Sequence, residues 1–85
     1  MNKTDTTYSI GAVSNLTGIE KHKLRNWCDR YLTHIQKIEI GNTQHRRFTE
    51  ADIVLIKKIK EYRRKGFMLK VAVENARHDL IEGKN

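Results

Sequence analysis

Between positions 21 and 26, Lys21, His22, Lys23, Arg25 and Asn26 crowd together, and each is a cation, an imidazole or an amide. Side chains of this kind donate hydrogen bonds. Arg can grip guanine with two parallel N–H bonds, and Asn can do the same to adenine. Gln44, His45, Arg46 and Arg47 form a second group just after the turn dipeptide Gly41-Asn42. The densest basic stretch runs Lys57, Lys58, Lys60, Arg63, Arg64 and Lys65, with Lys70 following Gly66. The chemistry common to all three groups is recognition of a polyanion. A charged run is ordinarily only the solvated side of an element, so the elements that carry these residues have to decide.

Bond-breaking chemistry finds no comparable support. Cys28 and the histidines His22, His34, His45 and His78 lack metal-binding spacing such as Cys-x2-Cys. No Ser-His-Asp or Cys-His arrangement and no glycine-rich phosphate loop is suggested. The expectation is therefore a non-enzyme, with no catalytic residues, no metal and no cofactor. The 85 residues allow one small domain with a limited core. Lys plus Arg number 17 against 10 Asp plus Glu, a net charge of +7 that favours an acidic partner. No run approaches the ~18 apolar residues of a membrane span, so no membrane partner is expected. The opening "MNKTDTT" lacks a signal peptide's apolar stretch, and the single cysteine fits a reduced cytoplasmic setting.

The polar residues 1–7 read as a flexible tail, with the folded domain at 8–81. Ile10, Val13 and Leu16 share one face of a first helix, with Ser9 as its N-cap, Tyr8 poised as a hydrophobic staple and Gly18 as its left-handed stop. A second helix, about 20–31, starts with Glu20 in its first turn. It turns Ile19, Leu24 and Trp27 or Cys28 inward and leaves the polar group outside. Trp27 reads as core, since one aromatic is too few for stacking on single strands. "KIEIGNTQHRRF" alternates and turns as a hairpin, the one sheet expected, with Ile38, Ile40 and Phe48 packing on the helices. Alternation sends Arg46 and Arg47 to opposite faces. Thr49 with Asp52 forms a shortened capping box for a third helix whose stripe is Ile53, Ile56, Ile59 and Tyr62, widened by Val54 and Leu55. Gly66 closes it, and a fourth helix carries Leu69, Ala72, Val73, Ala76 and Leu80 on one side. The predicted class is mainly α with a small β-hairpin wing: a winged helix-turn-helix of four helices.

Tyr8-Ser9-Ile10-Gly11, Thr17-Gly18, Leu24-Arg25-Asn26-Trp27, Arg46-Arg47-Phe48 and Gly66-Phe67 occur in this order. The set resembles the DNA-binding domain of the MerR family of bacterial regulators across roughly residues 8–80. Asn26 departs from the family's frequent tyrosine, and Gln44 and His45 from its wing glycine and aromatic. The resemblance implies sequence-specific binding of double-stranded DNA, most directly as a transcriptional regulator. Helix two would enter the major groove and the wing would lie on the backbone. It implies backbone positioning by Arg25 and a DNA contact from Arg46. His22, Lys23 and Asn26 are left for base edges, with Lys21, Gln44, His45, Arg47, Arg64 and Lys65 as further contacts. A homodimer on DNA, or one formed through a region beyond residue 85, would engage half-sites about one helical turn apart. The alternatives are a plasmid-partition (centromere-binding) protein or a recombination directionality factor on the same fold. Either role places the protein with the nucleoid or a plasmid. A third possibility is a basic module for acidic protein or RNA.

Overall fold

A computed structural model describes residues 6–83. The tail expected at 1–7 therefore lies outside the described residues up to residue 5. The chain forms two compact units, one ending at Ile53 and the other beginning at Val54. The elements are β1 (Tyr8–Ser9), α1 (Ile10–Thr17), α2 (Lys21–Arg30), β2 (Lys37–Ile40), β3 (Thr43–Phe48), α3 (Glu50–Arg64) and α4 (Leu69–Ile81). This is a winged helix-turn-helix with four helices.

Local chemistry sets the helix-turn-helix. The Ser9 hydroxyl accepts from the Ala12 N–H at 3.1 Å and caps α1. Gly18, at φ 75°, ends it and donates to the Ser14 carbonyl at 2.8 Å. Two hydroxyls then brace the turn and the last turn of the helix, Thr17 Oγ1 also accepting from the Ile19 N–H at 3.3 Å. Ser14 donates to the Ile19 carbonyl at 2.6 Å and Thr17 to the Val13 carbonyl at 2.7 Å. Glu20 is the N-cap residue of α2 rather than part of its first turn, and its side chain makes no capping bond. Val13, Ile19, Leu24, Trp27, Cys28, Leu32, Ile35, Phe48 and Ile53 are buried. Each large apolar side chain among them contributes about 1.5–3 kcal/mol. Leu16 is 54% exposed and does not join Val13 in the core.

The sheet has three antiparallel strands in the order β1-β3-β2, one more than the hairpin expected. Tyr8 is also a strand residue. It pairs across from Phe48, and its hydroxyl donates to the Glu50 carboxylate at 3.2 Å. Within the hairpin, Lys37 lies opposite Arg46, Ile38 opposite His45, Glu39 opposite Gln44 and Ile40 opposite Thr43. Partners across a ladder share a face, and neighbours along a strand alternate. Gln44, Arg46 and Phe48 therefore share one side with Lys37 and Glu39. Ile38 and Ile40 fall on the other side and are 46% and 53% exposed, so only Phe48 packs inward as expected.

At the start of α3 the capping box is reciprocal. The Asp52 N–H donates to Thr49 Oγ1 at 3.1 Å, and the Thr49 N–H donates to Asp52 Oδ2 at 2.9 Å. The other oxygen of this buried carboxylate, Oδ1, accepts from His34 Nε2 at 2.9 Å. In the second unit Leu55, Ile56, Ile59, Ala72, Val73 and Ala76 are buried, while Val54 and Leu80 are exposed. The Tyr62 hydroxyl donates to Asp79 at 2.6 Å, a bond that raises the phenol's pKa, and its ring meets Phe67 edge-on at 5.5 Å. Gly66 has φ 102° where α3 gives way to the connection with α4.

Candidate nucleic-acid interface

Helix α2 divides cleanly between two environments. Leu24, Trp27 and Cys28 are buried, and Lys21, His22, Lys23, Arg25 and Asn26 are exposed. The helix period of 3.6 accounts for this, since positions 24, 27 and 28 fall on one stripe. Among the described residues Lys21, Lys23, Arg25 and Asn26 have no side-chain partner, and His22 Nε2 lies 3.3 Å from the Glu20 carboxylate. The Lys21 ammonium lies over the first turn of α1, where a methyl group added at Gly11 would stand 3.8 Å from it.

Beside this face lies a cleft of about 390 Å³, lined by Arg25, Lys37, His45 and Arg46 together with Ser9 and Gln44. Cations from α2, β2 and β3 thus meet at the N-terminus of α1, whose dipole also favours negative charge. Lys37 and Ser9 were not singled out in the sequence for contact with a polyanion. Lys37 could have been found from the hairpin register, which sets it directly across from Arg46.

The two wing arginines differ from the helix-two cations. Arg46 projects from the inward side of β3, with a side chain only 9% exposed and ion-paired to Asp29. Its Nε is fully buried and has no hydrogen-bond partner among the described residues. Arg47 points to the opposite face and donates from Nε to Thr7 Oγ1 and from Nη2 to the Thr7 carbonyl, each at 3.1 Å. Thr7, read in the sequence as tail, is held by these bonds. Gln44 and His45 are exposed near the hairpin tip. In the second unit, Arg64 pairs with Glu61 at 3.3 Å and the Lys65 ammonium sits 5.2 Å from the Tyr62 ring centre. Both remain exposed.

Other chemistry is poorly served. Burial pushes the Cys28 thiol up to about 11, against the pull of Arg46, so it stays protonated and weakly nucleophilic near neutral pH. Among the described residues no group of three or more His, Cys, Asp or Glu is placed to hold a metal ion. Among the described residues no helix is long and apolar enough to cross a membrane.

No curated protein matches the sequence significantly. The family model described as the MerR HTH family regulatory protein matches residues 8–78, from β1 into α4. On that match, together with the helix-turn-helix, the wing and the cationic face they present, the chain belongs to the MerR family of DNA-binding transcription regulators.

Proposed function

We propose that this protein binds double-stranded DNA sequence-specifically, with α2 in the major groove and the hairpin wing along the backbone, and that it regulates transcription. The observation that carries this reading is the exposed, largely unpartnered donor face of α2, continuous through Arg25 with the cationic cleft. Arg25, Lys21 and Lys37 hold phosphates and set the register. His22, Lys23 and Asn26 read base edges, where each good bidentate contact discriminates by about 1–3 kcal/mol. Gln44 and His45 touch the backbone from the wing, and Arg64 and Lys65 add phosphate contacts from the second unit. Arg46 and Arg47, occupied by Asp29 and Thr7, support the surface from behind.

The test is selection of a duplex from a random-sequence pool, followed by footprinting on the gene's own upstream region. One operator overlapping a promoter is the expected outcome. A tandem array of sites would instead favour a segregation role. Absence of duplex binding even at low salt would refute the proposal.

A further inference from the structure

The hairpin wing is lightly anchored. Every residue from Lys37 to His45 is exposed, and Ile38 and Ile40 turn away from the core. Strand β2 is an outer strand whose only neighbour among the described residues is β3. The wing becomes substantially covered only from Arg46 onward, so Arg46 is its outermost tie to the rest of the first unit. Its guanidinium reaches Asp29 in the last turn of α2. That carboxylate is 59% exposed, whereas the arginine is almost enclosed and keeps one N–H unsatisfied. A cation in that position depends on its acid, because a buried charge left without its partner is strongly destabilising. Arg46 lines both the cationic cleft and a second cavity of about 270 Å³ shared with Cys28, Asp29 and Lys37.

We propose that Asp29 is a positioning residue for DNA recognition: through Arg46 it fixes the angle between the wing and α2, so that both reach one duplex. The inference rests on the DNA-binding reading above. It assigns an acidic residue a favourable part in binding a polyanion, which the ordinary electrostatics of a surface acid would not do. Simple removal of negative charge beside DNA raises affinity. Loss of a wing-orienting pair lowers it.

The experiment uses the duplex that the wild-type chain selects from a random-sequence library. Affinity, hydroxyl-radical footprint and thermal unfolding are measured for wild type, Asp29→Asn and Asp29→Glu. Asp29→Asn is expected to weaken binding about tenfold, within the range of coupling between members of one ion-pair network. It should lose the protections on the wing side and keep those at the helix-two bases. Asp29→Glu, which retains the charge, should recover most of the affinity and the wing protections. Should Asp29→Asn fail to fold, the paired change Asp29→Leu with Arg46→Met removes the charge imbalance, and loss of the wing protections is again expected. Full wing protections in that paired variant, or binding by Asp29→Asn as tight as wild type or tighter, would overturn the positioning role alone. Failure of the wild-type chain to select any duplex would bring down the DNA reading, and this inference with it.

Discussion

Helix α2 and the wing carry similar residues and use them in opposite ways. Among the described residues the α2 cations Lys21, Lys23 and Arg25 stand in solvent without protein partners, whereas Arg46 and Arg47 of β3 are turned onto Asp29 and Thr7. A guanidinium committed to an internal partner contributes to shape, and one left in solvent is available to a ligand. Net charge therefore overstates the recognition surface. Of the +7 carried by the chain, the share available to DNA depends on which cations the fold has already engaged. The apolar residues show the same contrast: Leu24 and Trp27 hold α2 in place, while Ile38 and Ile40 sit outside on the wing.

The largest expected effect tests where the wing takes its support. Phe48 is fully buried at the base of β3, so Phe48→Ala should cost about 3–5 kcal/mol in chemical denaturation. A loss below 1 kcal/mol would mean that the wing and the core are separable. Next come the base-reading positions. Asn26→Ala or Lys23→Ala should relax preference at individual base pairs by ~1–3 kcal/mol while leaving the unfolding midpoint unchanged. Uniform losses on every sequence would move these residues to the backbone class. Asp52→Ala removes the capping box of α3 and the partner of His34, and about 1–2 kcal/mol of stability should go with it. The smallest effect is predicted at the outer face of the wing. Ile38→Thr or Ile40→Thr should change stability by no more than about 0.5 kcal/mol, because neither side chain is in the core. A loss of several times that size would show that the wing isoleucines are covered.

What could be read from the sequence was mostly local. Ser9 and Gly18 bracket α1, and Thr49 with Asp52 opens α3, because caps depend on residues within one turn of each other. The stripe of α2 was legible for the same reason, and it brought Lys21, His22, Lys23, Arg25 and Asn26 to one exposed surface. Long-range pairings were not legible. Strand β1 is two residues long and exists only because Tyr8 and Ser9 meet Phe48 and Arg47 far along the chain. The alternation of Ile38 and Ile40 showed that they share a face but not which way that face turns, which the register with β3 decides. Nor could Asp29 be picked out as the acid for Arg46, since the two belong to different elements. The ordered motif set nevertheless identified the MerR family, and the match over residues 8–78 agrees with it.

We propose that the α2 face, with its neighbouring cleft, engages a DNA backbone while it reads sequence. The most direct measurement is duplex affinity as a function of salt for wild type and Arg25→Ala, on selected and unrelated sequences. Arg25 is exposed, unpartnered among the described residues and lines the cleft. Log affinity should fall linearly with log salt. Arg25→Ala should lower the magnitude of that slope by about one, with similar weakening on both sequences. An unchanged slope, or binding that does not respond to salt, would contradict the proposal.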